Sequence, residues 1–213
     1  MRGVVTAIEA AIRRLEAHFE RVVVCPPAPA SALAELRKRT PGLPSQLRAF
    51  YALANGIRVG LRDAVVGHLY SAEEVLEHHG VGFAHHASLA RLLPLRGDGC
   101  GNFDCIVAAG EVAPGSVVFW DREIYDRPSH LLGSTFASYL EMWSDALVHD
   151  YLADGELQPS ARAPELDRWP WLGTPERRHP WPFDGQWVAR HDPGVARLLA
   201  SPEVLRWLAR RHE

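Results

Sequence analysis

The chain has 213 residues, of which 47% are hydrophobic and 23% are charged, and its formal net charge is −3. This is the composition of a globular protein with a substantial core. No apolar run approaches the roughly 18 residues that a membrane helix needs, and three cysteines are too few, and odd in number, for a disulfide framework. Because the N-terminus lacks the pattern of a signal peptide, we expect a soluble, cytoplasmic protein.

Charge is distributed unevenly along the chain. Residues 41–155 carry seven basic and fourteen acidic side chains, whereas residues 1–40 carry seven basic and four acidic ones. An acidic middle disfavours nucleic acid as a partner and favours a protein with a basic surface. The alternative interpretation is an acidic surface that only keeps the protein soluble.

Helical patterns dominate the first 56 residues. The first predicted helix repeats apolar residues at spacings of three and four, at Val5, Ile8, Ile12, Leu15 and Phe19. We expect the prolines of residues 25–30 to end it. Two further helices are predicted over residues 32–40 and 44–54, the last of them ended by Asn55 and Gly56.

Strand patterns follow, and one long helix closes this part of the chain. Ser71 and Glu74 have the spacing of a capping box, which predicts a short helix between strands. The strands are predicted at residues 64–70, 92–95, 103–108 and 116–121. The last helix is expected to begin after Ser134 and to bury one stripe, formed by Phe136, Leu140, Trp143, Leu147 and Tyr151. Asp154 and Gly155 are expected to end it. This order of elements predicts an α+β fold with an antiparallel or mixed sheet.

Residues 156–213 form an extension rich in tryptophan and proline. We expect its aromatic rings to pin an irregular segment onto the domain, through Trp169, Trp171, Trp181 and Trp187. Two short helices are predicted near its end, over residues 193–200 and 202–213.

The stretch "LRGDGCGNFDC", residues 95–105, has a composition found in phosphate, metal and redox loops. A phosphate loop needs a helix after its glycines, whereas a strand pattern follows here. Asp98, Asn102 and Asp104 are an incomplete calcium set, and Cys100 and Cys105 are too few for a zinc knuckle. The favoured interpretation is a connection between two strands in which Asp98 and Asn102 bond local amides.

No other motif predicts catalysis. Four histidines lie close together, at His78, His79, His85 and His86, but adjacent histidines on a helix point in different directions. There is no HExxH or GxSxG pattern, and Cys25 lacks the context of a catalytic cysteine. We therefore expect no catalytic residue, no cofactor and no metal site.

Three segments together resemble the SUKH superfamily, in its branch related to a cell-wall assembly regulator (Smi/Knr type). They are "LPSQLRAFYALANGI", "LPLRGDGCGNFDCIVA", and "GSVVFWDRE" followed by "STFASYLEMW". The resemblance covers residues 28–155, with residues 1–27 as a preceding helix and linker and residues 156–213 as the extension. Arg122 stands where the family commonly has histidine, and Tyr125 lies in a stretch that departs from the family pattern.

The resemblance implies an α+β domain with a curved, mostly antiparallel sheet flanked by helices. It also implies a non-enzymatic immunity protein that binds and neutralises a cognate bacterial toxin of nuclease or deaminase type. The alternatives are an intracellular scaffold or regulator of a host protein and, more distantly, a small-molecule-binding protein or enzyme.

An acidic face after the glycine loop and the "VVFW" strand is the expected contact surface for a basic protein partner, with no nucleic acid or membrane involved. The candidate partner-binding residues are Arg96, Asp98, Asn102, Asp104, Trp120, Asp121, Glu123, Tyr125 and Asp126. Trp120 and Tyr125 would supply aromatic anchors. The alternative interpretation places Trp120 in the core.

Overall fold

The computed structural model describes residues 2–40, 42–61, 64–124, 126–153, 156–157 and 179–208. Over these residues the fold is α+β, as the order of the predicted elements indicates. The helices are α1 (Arg2–His18), α2 (Ala30–Arg39), α3 (Ser45–Tyr51), α4 (Ala72–His78), α5 (Phe136–Tyr151), α6 (Gly185–His191), α7 (Pro193–Leu199) and α8 (Pro202–Trp207). A π-helical turn, His79–Phe83, continues α4.

The strands form two antiparallel sheets and a small hairpin. They are β1 (Arg21–Val24), β2 (Ile57–Leu61), β3 (Ala64–Leu69), β4 (Leu92–Gly97), β5 (Phe103–Val107), β6 (Val117–Trp120), β7 (His130–Gly133), β8 (Leu152–Ala153) and β9 (Glu156–Leu157). The sheet orders are β1-β2-β3 and β4-β5-β6-β7, and β8 pairs with β9. Just after β3, the amide of Tyr70 donates a 2.8 Å hydrogen bond to the carbonyl of Leu95, so the two sheets meet there.

The strands on either side of the glycine loop pair as predicted. Strands β4 and β5 are antiparallel, with Leu92 opposite Val107 and Gly97 opposite Phe103. The loop therefore joins neighbouring strands, and no helix follows its last glycine. The predicted capping box is confirmed as well, because the Ser71 hydroxyl accepts a hydrogen bond from the Glu74 amide while the Glu74 carboxylate accepts one from the Ser71 amide.

Helix α1 is shorter than the pattern predicts, and a strand replaces its expected end. The helix stops at His18, and residues 21–24 pair with β2 as an edge strand. Three consecutive valines favour extended backbone, and pairing with β2 satisfies their backbone hydrogen bonds. Strand β7 and helix α6 also lack a clear local pattern, since each is short and has no sequence period of its own.

The long helix α5 buries four residues of the predicted stripe, whereas the fifth, Tyr151, is only partly buried. Phe136 and Leu140 are fully buried, Trp143 is 1% exposed and Leu147 is 7% exposed. Gly67 on β3 permits this packing, because a Cβ atom there would lie 2.6 Å from Cδ1 of Leu147. The N-cap is Thr135, whose hydroxyl accepts a hydrogen bond from the Ser138 amide, and not Ser134 as predicted.

The C-terminal helices are anchored where α5 begins. The Asp192 carboxylate accepts hydrogen bonds from the Ser134 amide at 2.6 Å, the Ser134 hydroxyl at 2.8 Å and the Gly194 amide at 2.9 Å. Trp181 is buried, and its indole donates to the carbonyl of Leu132 at 3.1 Å. Ser134 therefore tethers the extension and does not cap the helix.

Several sequence-based expectations lie outside the described residues. They concern Tyr125, Asp154, Gly155, Trp169, Trp171 and residues 209–213. Across the part of the chain that is described, no helix is both long enough and apolar enough to cross a membrane.

Candidate partner-binding site

The glycine loop is built around the Asp98 carboxylate. Oδ1 of Asp98 accepts hydrogen bonds from the amides of Cys100 at 2.7 Å and Asn102 at 3.1 Å. Oδ2 accepts one from the Asn102 side-chain amide at 2.8 Å. Gly99 and Gly101 have φ values of 82° and 95°, a region that favours glycine. Asp98 thus bonds local amides as predicted, whereas the Asn102 side chain donates to the Asp98 carboxylate and accepts from the amide of Arg122, which lies 20 residues away.

A second loop, which follows β6, is attached to the glycine loop. The amide of Arg122 donates to Oδ1 of Asn102, and Nη1 of Arg122 donates to the carbonyl of Cys100, each at 3.0 Å. The Arg122 side chain passes over Gly101, where a Cβ atom would lie 2.8 Å from Cδ of Arg122. The two loops therefore form one surface at the same end of the sheet.

This surface contains an open groove. It is lined by Gly99, Cys100, Gly101, Asn102, Asp121, Arg122 and Glu123. Three of its lining side chains are charged, and the backbone amides of Cys100 and Asn102 are bonded to Asp98. Such a groove suits a polar protein segment better than an apolar ligand.

Three of the proposed acidic residues lie at or beside this groove. Glu123 and Asp126 are exposed, and Asp121 is half-buried with Oδ1 accepting a 2.9 Å hydrogen bond from the Glu123 amide. Asp126 pairs with Arg127 at 2.8 Å, and the hydrogen bond from that guanidinium lowers the pKa of Asp126. The acidic character of the surface is therefore carried mainly by Asp121 and Glu123.

Asp104 belongs to a buried network beneath the loop. It is 2% exposed, and its Oδ2 atom accepts hydrogen bonds from Nη1 of Arg96 at 2.7 Å and from the Tyr139 hydroxyl at 2.8 Å. Burial, together with the nearby Asp104 charge, raises the pKa of Tyr139. Burial by itself lowers the pKa of Arg96, but the charge and hydrogen bond of Asp104, together with Tyr139, outweigh it and raise that pKa. A partner therefore has no direct access to Asp104.

Trp120 is a core residue. It is 6% exposed and packs against Phe83, with ring centroids 4.9 Å apart, and against Phe103 at 6.2 Å. Its burial corrects the expectation of an aromatic anchor at this position. Of the candidate partner-binding residues, those that remain at least partly exposed are Asp98, Asn102, Asp121, Glu123 and Asp126, together with Arg96.

No protein-family model matches the chain, and a search of curated proteins finds no significant match.

A second cluster of chemically active side chains was not indicated by the sequence patterns. Asp145, His149 and His179 place potential ligand atoms within 4.8 Å of one another, and no other group of three such side chains occurs among the described residues. Asp145 and His149 have the i, i+4 spacing of residues that share a helix face, which was the available local signal. His179 lies 30 residues further along the chain, so only the tertiary fold brings it to the pair.

Two of the four histidines in the run from His78 to His86 make other contacts than metal binding would need. His79 is buried and donates from Nε2 to the carbonyl of Ala90 at 2.9 Å, while His78 stacks on Tyr70 with centroids 4.5 Å apart. These rings make packing and backbone contacts around the π-helical turn.

Proposed function

We propose that this chain is a non-enzymatic, protein-binding domain of SUKH type. It acts as an immunity protein that neutralises a cognate bacterial toxin, of nuclease or deaminase type, by covering the toxin's basic active site. One observation carries the proposal: hydrogen bonds from Arg122 to Asn102 and to the carbonyl of Cys100 join two of the three segments of the resemblance into one groove with carboxylates at its rim.

The groove has the rigidity that a binding surface requires. Its glycine loop is held by three hydrogen bonds to Asp98, and the strands that flank this loop are joined by the bond between the partly exposed Arg96 and the buried Asp104. A surface already ordered before binding loses little conformational entropy on association. Carboxylates at the rim attract a basic partner over a distance and accelerate encounter.

Co-expression tests this proposal directly. The chain is produced together with the product of the neighbouring gene, and complex formation and cell survival are measured. We expect a stable complex and survival of cells that the neighbouring product alone kills. A complex with a host protein, without protection, would instead indicate a scaffold or regulator. Absence of both protection and complex would contradict the proposal.

A further inference from the structure

Asp145 and His149 present metal-binding atoms on one face of α5. They are one helical turn apart, so their side chains lie on the same face. His149 is exposed, and its Nδ1 atom donates to the carbonyl of Asp145 at 2.9 Å. When Nδ1 of a neutral ring is the donor, Nε2 carries the lone pair that a metal ion binds. Metal-binding histidines commonly donate their other nitrogen to a backbone carbonyl in this way.

His179 is the third side chain, and the C-terminal segment holds it firmly. Its backbone amide donates to Oδ1 of Asp150 at 3.0 Å, and its ring packs edge-to-face against Trp187 at a centroid distance of 4.6 Å. The residue is 8% exposed. Its Nε2 atom lies 3.2 Å from Oδ2 of Asp145, so one imidazole nitrogen already faces the carboxylate.

From this geometry we propose that Asp145, His149 and His179 bind a divalent transition-metal ion, and specifically Zn²⁺. Two imidazole nitrogens and one carboxylate oxygen are ligands that zinc accepts, with a water molecule completing the tetrahedron. Zinc bonds of about 2.0–2.2 Å place tetrahedral ligands about 3.4 Å apart. The present separations are within 4.8 Å. The His149 atom now nearest Oδ2 of Asp145 is Nδ1, at 3.7 Å, so the exposed His149 side chain has to rotate to direct Nε2 at the ion.

The two carboxylate oxygens of Asp145 have different neighbours, and Oδ2 is the one available to Zn²⁺. Nη1 of Arg14 lies 4.0 Å from Oδ1 of Asp145 and is also bonded to the carbonyl of Glu141 and the hydroxyl of Ser144. Oδ2 of Asp145 faces the two histidines. The Asp150 carboxylate nearby contributes further negative charge at this end of α5.

Binding requires a proton to move within His179. Nδ1 of His179 accepts a 3.2 Å hydrogen bond from the Trp181 amide, so without metal the ring proton is on Nε2, directed at Asp145. Zinc takes the Nε2 lone pair, and the proton transfers through water to Nδ1, with no net release from the protein. The long Trp181 hydrogen bond is lost, and a metal–nitrogen bond replaces it.

The bound ion would cross-link α5 to the C-terminal segment. Because the unfolded chain does not bring residues 145 and 179 together, zinc binding would stabilise the folded state by mass action. None of the three residues lines the groove between the loops. The metal site can therefore exist whether or not the proposed function is correct.

The test measures ZnCl₂ binding to tag-free protein by calorimetry, with the melting temperature as a second readout. We expect one ion per chain and a higher melting temperature. Asp145→Asn keeps an acceptor for His179, and His149→Ala removes an exposed ring, so neither should unfold the protein. Each should weaken binding by more than about tenfold, since even loss of an outer partner of a ligand costs about 10–100-fold.

Two controls separate this site from unspecific zinc binding. His18→Ala removes an exposed histidine that donates to a carbonyl four residues earlier, as His149 does, and should leave affinity unchanged. Cys100→Ser removes an exposed thiol and should also have no effect. Zinc binding that survives both Asp145→Asn and His149→Ala, or no stoichiometric binding by the unaltered protein, would overturn the proposal.

Discussion

Arg96 and Asp104 face each other across β4 and β5, with Nη1 of the arginine 2.7 Å from Oδ2 of the aspartate. The aspartate is buried, whereas the arginine side chain is 21% exposed. Asp104 was expected at a contact surface, but it is buried and joins the two strands that flank the glycine loop. A buried carboxylate of this kind destabilises the folded protein strongly if its cationic partner is removed, because its charge is then uncompensated.

Arg96→Met should therefore destabilise the protein strongly, because it leaves the Asp104 charge buried without its cation. We expect the free energy of unfolding to fall by about 3–5 kcal/mol. Arg91→Met is the matched control, since Arg91 pairs with Glu111 at 3.3 Å on the surface and should cost no more than about 1 kcal/mol. Denaturant unfolding measures both, and equal effects of the two substitutions would contradict the assigned role of Asp104.

Trp143 should contribute strongly to stability through its packing. It is 1% exposed, and Trp143→Ala should lower the free energy of unfolding by about 3–5 kcal/mol. Its indole nitrogen has no hydrogen-bond partner among the described residues, so Trp143→Phe deletes no hydrogen bond and should cost clearly less. Val81→Ala, at a position 81% exposed, serves as the control. A loss below about 1 kcal/mol for Trp143→Ala would rule out this packing.

Stability should fall on mild acidification because of His179 and His68. Burial lowers the pKa of both, although Asp145 and Glu74 respectively act in the opposite direction. The unfolded chain then binds more protons than the folded one below about pH 6.5, so the free energy of unfolding decreases as the pH falls from there through the folded pKa values.

Substitution of each histidine measures its part of this pH dependence. With a chelator present, His179→Gln and His68→Gln should each flatten the decrease in the free energy of unfolding between pH 7.5 and pH 5. An unaltered slope in both glutamine variants would show that other groups are responsible.

Charge reversal tests where the partner binds. Asp121, Glu123 and Asp126 are replaced together by lysine, and association with the cognate toxin is followed at increasing ionic strength. We expect the association rate at low salt to fall by about tenfold or more and its salt dependence to diminish, because electrostatic attraction is screened by salt.

Lysine at Glu9, Glu16 and Glu20, three exposed residues on or next to α1, makes the same change in net charge and is the control. If both triple variants fold and slow association equally, net charge alone explains the effect. If neither slows it, the binding face lies elsewhere.

The local patterns of the sequence were sufficient for the elements whose physical cause is local. The period of three and four in α5, the Ser71–Glu74 capping box and the glycine loop each depend on residues close in the chain. The stripe on α5 was predictable because one helix face must be buried in any compact fold. The α+β class followed from the order of these elements.

Features that depend on partners distant in the chain were decided by the tertiary structure. Residues 21–24 become a strand because β2 offers a paired edge, and Ser134 bonds Asp192, which lies 58 residues away. Asp104 was expected at a contact surface, and Trp120 was expected either there or in the core. Only their contacts with Tyr139 and Phe83 show that both are buried. Likewise, His179 comes close to Asp145 and His149 only when the C-terminal segment folds onto α5. Such contacts could not be predicted from the sequence, because hydrogen bonds and packing between distant segments produce no periodic pattern in it.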